Sequence, residues 1–390
     1  FPTPQAEAAA FDPDLAERTA RAAAIEATAT GIAWNFAPMV DIARDARWGR
    51  GVEGAGEDVY LACLLATARV RGFQGDRGLS DAQAMLATPK HLAAYGAAAA
   101  GLDYNSVALS ARTLREVYFP PFQAAFQAGA LSTMAAFNDL GGVPCHANPW
   151  LTKSVLQGEW GFDGFVVSDF TGDMELIAHG FAEDERDAAR LAFNGGVDMS
   201  MSSGFYAEHL PDLVRSGAVD EAEVDASVRR VLRMKQALGL FDDPFNRMAP
   251  DAAETTDQPA RRDLAREAAR RSIVMLENRN DLLPLAKAGQ KIALIGPFVG
   301  GPEHLNGPWV LFGHPNYAVS IEDGLRAAMD DPSLLMTVKG CEAEGEIAGG
   351  VQAAVAAAAA AGVVVMVVGE GERMSGEAQS RTEIVVPAPQ

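Results

Sequence analysis

The chain has 390 residues, 48% of them hydrophobic, which favours two packed domains and argues against disorder. Its formal net charge of −20 excludes the basic face that nucleic acid demands and argues against an anionic membrane surface; a neutral ligand such as a sugar is compatible. The three widely spaced cysteines, Cys63, Cys145 and Cys341, form neither a disulfide framework nor a metal cluster.

In chain order, residues 14–29 are Ala-rich and amphipathic and predict a helix. Strand-like runs follow at 31–37 and 84–90. A helix is expected over 111–127 despite Pro120 and Pro121, then strands over 131–137 and 164–168, a helix over 184–194 and a strand over 196–201. Apolar strands alternating with helices predict a parallel sheet, and about 240 residues suit a (β/α)8-type, TIM-like barrel. Five strand-like runs imply a barrel that is irregular or lacks its first element.

A long helix over 219–239 closes this part. Residues 246–259 hold Pro250 and Pro259 among acidic and small residues and read as a linker. An amphipathic helix follows over 261–277. The run 291–296 (Lys-Ile-Ala-Leu-Ile-Gly) opens a second α/β unit, and 351–361 and 362–369 repeat the helix–strand pattern. The expected division is a catalytic domain over 1–245, linker and helix over 246–270, and a second α/β domain over 271–390. Gly362 splits the uncharged stretch 353–368 into halves too short for the ~20 residues of a membrane span; a surface helix and a buried strand are expected instead. No signal peptide is visible, Phe1 opens the chain without a Met, and Gln390 follows closely on a strand-like 384–386, so the chain reads as a fragment.

Several polar clusters sit where strands should end. Asp169 closes Gly164-Phe165-Val166-Val167-Ser168-Asp169-Phe170. A carboxylate at the C-terminal tip of a buried strand is where α/β folds keep their chemistry, although Asp is also a favoured helix N-cap. Lys90-His91 ends another strand-like run, and Phe137-Asn138 a third. Arg44, Arg47 and Arg50 crowd around Trp48, with Glu53, Glu57 and Asp58 following. Most of this block reads as a salt-bridged loop, but an Arg presents a donor fork suited to hydroxyls or a carboxylate, and one of the three is expected to reach a ligand. The Gly-rich segment 369–378 carries Glu370, Glu372 and Glu377. Its glycine spacing is not G-x-G-x-x-G, nor is that of 296–301, which argues against a dinucleotide site. Trp34, Trp48, Phe137, Phe170 and Trp309 lie near these residues in sequence; aromatic faces stack on sugar rings, and core packing is the commoner use of each.

Taken together, the Arg47-Trp48-Gly49-Arg50 block, Lys90-His91-Leu92-Ala93-Ala94-Tyr95-Gly96, the Ser168-Asp169 strand end and Ser375-Gly376-Glu377 resemble glycoside hydrolase family 3, of the β-glucosidase type. The resemblance runs along nearly the whole chain in matching order. It implies a (β/α)8 barrel followed by an α/β sandwich domain, with the active site between them. It implies Asp169 as nucleophile and Glu377 as acid/base, with Arg50, Lys90, His91, Met134, Phe137 and Phe170 contacting sugar. Phe137 and Phe170 stand where the family often has Tyr and Trp, which keeps an apolar face and loses a donor. An Asp in a Gly-x-Asp-x-x-His-Gly motif is expected before Phe1, and the rest of the second sheet after Gln390.

The implied reaction is hydrolysis of terminal β-D-glucosyl residues with retention, the two carboxyls about 5–5.5 Å apart. No cofactor or metal is needed. The substrate is a β-glucoside or oligosaccharide, a homodimer is possible, and the resemblance implies a periplasmic or secreted protein. A β-xylosidase or α-arabinosidase remains an alternative, as does an inactive sugar-binding fragment. Tyr95 in place of a second His argues against a β-N-acetylglucosaminidase.

Overall fold

The structure is a computed structural model that describes residues 1–249, 259–301, 304–310 and 318–390. The middle of the expected linker therefore lies outside the described residues. The chain divides into two compact units, Phe1–Val274 and Met275–Gln390.

In the first unit, the helix Pro13–Ala29 starts where expected, with Pro13 in its first turn and the Asp12 carboxylate accepting from the Leu15 amide. It packs against a second helix, Val59–Gln74, capped by Asp58. That helix escapes sequence reading because it is apolar on most faces and shows no clean stripe. The expected strands at 31–37 and 84–90 are reduced to single parallel bridges, Trp34 to Leu86 and Met39 to Lys90. Pro38 and Pro89 each remove an N–H donor, which keeps these runs from extending into full ladders. The helix expected over 111–127 is interrupted: Ala111–Thr113 passes into a wide π turn, Leu114–Tyr118, before Pro120–Gln127. The break places both prolines in the first turn of the last segment, where a missing N–H costs little.

Three strands form the described sheet of this unit: β1 (Ser132–Met134), β4 (Phe165–Phe170) and β5 (Met199–Met201), in the order β1-β4-β5 and all parallel. Between β1 and β4 the chain makes a small hairpin, β2 (Asp139–Leu140) with β3 (Val143–Pro144). The described sheet is open. β4 is buried on both faces: Phe165 and Val167 pack with Leu86 and Met134, whereas Val166 belongs to the main core with Phe162 and Leu156. The helices Glu185–Asn194 and Glu221–Ala237 match expectation; Phe205–Arg215 is an additional one. The helix expected over 261–277 ends at Ser272 and belongs to the first unit, tied to it by Arg18–Glu267, Arg271–Asp12 and Arg261–Glu26 pairs.

The second unit has a parallel sheet in the order β7-β6-β8, with β6 (Ile292–Ile295) fully buried between β7 (Leu335–Val338) and β8 (Val363–Met366). The stretch 353–368 does become helix, Gly350–Ala360, then strand. The strand is not buried as expected, because β8 is a sheet edge and alternates between half-buried and exposed positions. Residues 384–386 are exposed and form no strand, having no ladder partner among the described residues.

The β1–β4 edge sets the position of Asp169, and it is tight. A Cβ on Gly164 would lie 2.1 Å from the Leu131 carbonyl oxygen, the oxygen that accepts from the Phe165 amide. Gly164→Ala is expected to lower the stability of the first unit by about 1–3 kcal/mol, as overpacking does. Urea unfolding followed by tryptophan fluorescence measures this; an unchanged midpoint would show that the strand edge can shift.

Candidate active site

Asp169 is the fifth of six residues in β4, so its side chain stands at the C-terminal end of a buried parallel strand. Lys90 ends the neighbouring run bridged to Met39, and His91 follows it. Arg50 comes from the short helical turn Gly49–Glu53. The structure brings Arg50, His91 and Asp169 together. Arg50 Nη2 lies 2.9 Å from His91 Nε2, and His91 Nε2 lies 3.4 Å from Asp169 Oδ2. The Phe170 amide donates to Asp169 Oδ1 at 2.7 Å, which fixes the turn of the carboxylate.

Proton positions follow from donor chemistry. A guanidinium only donates, so His91 Nε2 accepts from Arg50 and the ring hydrogen sits on Nδ1. Nδ1 then donates to Asp41 Oδ2 at 2.8 Å, and the same oxygen accepts the His91 amide at 2.9 Å. His91 is fully buried. Burial, with the Arg50 and Lys90 cations nearby, holds its pKa well below the ordinary imidazole value. Burial pushes Asp41 up to about 7, against the pull of the His91 amide and Arg50. His91 therefore has no hydrogen to offer Asp169, and their contact is not an ion pair at neutral pH. The charge of Arg50 is answered by Glu53, through Nε at 2.8 Å and Nη2 at 3.2 Å.

Aromatic rings wall in this cluster. Tyr95 packs edge-on against His91 and Trp48 and lies under the Arg50 guanidinium at 5.5 Å. Phe137 is enclosed by Tyr95, Tyr104 and His146. Met134 packs with Leu86, Phe165 and Val167 in the core. Both residues are buried in packing contacts. Phe170, by contrast, is exposed directly beside Asp169, and Lys90 is half-buried. Trp34 is used structurally, its indole N–H donating to Thr88 and Ser132.

Glu377 lies in the second unit, half-buried in the loop that follows β8. That loop is held by buried Met374, whose sulfur is 3.2 Å from the Gly371 amide, and by Gly376, which rests on Pro308. Glu370 is paired with Arg381. The three cysteines are free.

The family model for the "Glycosyl hydrolase family 3 N terminal domain" matches residues 1–234, and that for the C-terminal domain matches residues 273–390. The chain belongs to glycoside hydrolase family 3. A periplasmic beta-glucosidase from Salmonella typhimurium is 39% identical over 100% of this chain and 54% of its own length. A beta-xylosidase from Formosa agariphila is 36% identical over 98% of this chain and 55% of its own. The crystal structure of a beta-glucosidase from Listeria innocua in complex with glucose superposes with a TM-score of 0.94 at 39% identity, covering 100% of this chain and 53% of that one. The family 3 chain thus spans about half the length of these relatives. Among its described residues no helix is long and apolar enough to cross a membrane.

Two residues of the cluster were not singled out from sequence. Asp41 was given no role, although an acid within an apolar run is itself a signal. His146 went unremarked in Pro144-Cys145-His146-Ala147, which has no periodicity to place it. It is 1% exposed, and its Nε2 accepts the Asp169 amide at 2.9 Å.

Burial, with His179 nearby, holds His146 down to about 3, against 6.5 for a free imidazole. Between these values the unfolded state binds the extra proton, so stability falls as pH drops, by about 1.4 kcal/mol per unit. His91 acts in the same direction. Asp41, raised by burial, acts oppositely, losing stability as pH rises from its ordinary value toward about 7. Two groups outweigh one, and the first unit is expected to be acid-labile. Urea midpoints at about pH 7.5 and about pH 4.5 should differ less in His146→Gln than in the wild type; equal differences would acquit His146.

Proposed function

We propose that the protein is a retaining glycoside hydrolase that releases terminal, non-reducing β-D-glucosyl residues. Asp169 attacks the anomeric carbon and displaces the aglycone oxygen, giving a covalent glycosyl-aspartate. Glu377 protonates that departing oxygen, then takes a proton from the water that hydrolyses the intermediate. The observation that carries this is the meeting of Asp169 and His91, at strand ends, with Arg50 from the turn Gly49–Glu53, beside the exposed ring of Phe170. Lys90 and Phe170, which have surface to offer, hold the sugar by hydroxyl contact and stacking. Buried Arg50 and His91 form the floor beneath Asp169. Glu377 is preferred to Glu370 as the acid because Ser375-Gly376-Glu377 is the stretch that resembles the family's acid/base loop.

The beta-glucosidase relatives favour glucose at the cleaved position, and the Formosa relative supports a β-xylosidase as the second reading. Because the chain spans about half of these relatives, the activity belongs to the whole protein. The parallel bridges that continue the β1-β4-β5 sheet through Leu92, Lys90 and Trp34 support a (β/α)8-type barrel in the first unit. The β7-β6-β8 sheet with its helices supports a partial α/β sandwich in the second. The Salmonella relative's name supports a periplasmic location.

A panel of aryl β-glycosides, with the product anomer read by NMR, tests the reaction. Faster turnover of the xyloside than of the glucoside would select the second reading, and an inverted product would overturn retention. Asp169→Ala should abolish turnover of every substrate. Glu377→Ala should lose about 10²–10⁴-fold on cellobiose, whose leaving group needs a proton. On a dinitrophenyl glucoside its first step should survive, with azide restoring turnover as a β-glucosyl azide. Wild-type rates of Glu377→Ala on cellobiose would remove Glu377 from the mechanism.

A further inference from the structure

We infer that His146 is a positioning residue for Asp169: its imidazole, by accepting the Asp169 backbone hydrogen, holds the tip of β4 in the orientation from which the carboxylate reacts. The inference rests on the reading of Asp169 as the nucleophile.

The pairing of β4 with β5 is irregular at this point. Val167 pairs with Met199 and Phe170 with Met201, with a register shift between them. Such irregularities re-aim side chains and leave an amide without its ladder partner. Here the Asp169 amide is taken by a side chain from another element, the segment Cys145–Ala147 that follows β3. The carbonyl side of Asp169 is held as well, by the Gly172 amide at 3.0 Å and the Ser168 hydroxyl at 2.8 Å. Both ends of the residue are thus clamped. Its Oδ1 is locked to the next amide, so any rotation of the peptide carries the carboxylate with it.

To accept, Nε2 must carry a lone pair, which a neutral ring with its hydrogen on Nδ1 provides. The Ala136 carbonyl is the ring's other partner, and burial with His179 nearby keeps the ring uncharged. His146 therefore ties the segment just beyond β1 to the tip of β4. Its position is enforced sterically from the far side. A Cβ on Gly172 would lie 2.2 Å from His146 Nε2, so the ring sits where only glycine permits it.

A residue that merely fills space would tolerate an isosteric apolar group; a residue that acts through an acceptor would not. The test uses His146→Leu, which removes the acceptor, and His146→Gln, which keeps one. The readout is the rate at which a 2-deoxy-2-fluoro-β-glucoside with a good leaving group labels the full-length protein, followed by intact mass and peptide mapping. Misplacement of the nucleophile by a fraction of an ångström to 1 Å should slow labelling by about 10–100-fold in His146→Leu. The concentration for half-maximal inactivation should barely change, and His146→Gln should recover most of the rate. Should His146→Leu fail to fold, Gly172→Ala carries the test, since it displaces the ring while keeping it; the same slowing is expected. Wild-type labelling rates in His146→Leu or Gly172→Ala, or a His146→Gln no faster than His146→Leu, overturn the inference. If the wild type is labelled at a residue other than Asp169, the nucleophile assignment fails and takes the inference with it. Slow variants of a wild type labelled at Asp169 uphold both.

Discussion

A guanidinium cannot shed its charge, and Arg50 is 2% exposed. Much of the site follows from that one buried cation. Leaving such a charge unanswered in a low-dielectric interior would cost several kcal/mol, so Glu53 faces it with both oxygens. Because Arg50 can only donate, the imidazole beside it must accept on that side and carry its hydrogen on the other. The far nitrogen then needs its own acceptor, and Asp41 is buried to supply one. Ring orientation, tautomer and the placing of a second buried carboxylate are thereby set by a single side chain, and Asp169 stands at the end of this arrangement.

The two carboxylates proposed for catalysis rest on different kinds of support. Asp169 is built into a strand with buried neighbours on both faces, and rigid elements place groups more narrowly than loops do. Glu377 depends on local contacts of a Gly-rich loop: Met374 under Gly371, Pro308 against Gly376, and the Gln390 amide bridging the backbone of Gly369 and Ala343. A nucleophile must meet one carbon at one angle. An acid/base must serve a departing oxygen and then a water, and a loop suits that wider demand.

Much of this was legible in the chain. The Val-rich run ending in Asp169 reads as a strand tip because β-branched residues followed by an acid have few other uses, and the structure agrees. Of the residues in the Lys90-His91 and Arg50 motifs, Arg50 and His91 come together with Asp169 in the structure. What stayed hidden has physical causes. Val59–Gln74 is apolar on most faces, so periodicity could not expose it. Pro38 and Pro89 thinned two expected strands to single bridges. That Met134 and Phe137, given to sugar contact by the resemblance, are buried was not readable, because burial is a tertiary property that motif position does not carry. His146 and Asp41 act through backbone amides and ring nitrogens, and no spacing rule records which amide a distant ring will find.

The fit between His146 and Gly172 has a consequence for how this site can drift over evolutionary time. Neither position is free while the other is unchanged. A lineage that gains any side chain at 172 must first have shrunk or lost the ring at 146, and a lineage that loses the ring no longer needs glycine at 172. The allowed path is ordered: the ring goes first, some other acceptor or a water inherits the Asp169 amide, and only then does the turn accept a Cβ. Across diverged relatives the two columns should therefore covary in one direction, with a bulky residue at 146 accompanied by glycine at 172, and the reverse implication absent.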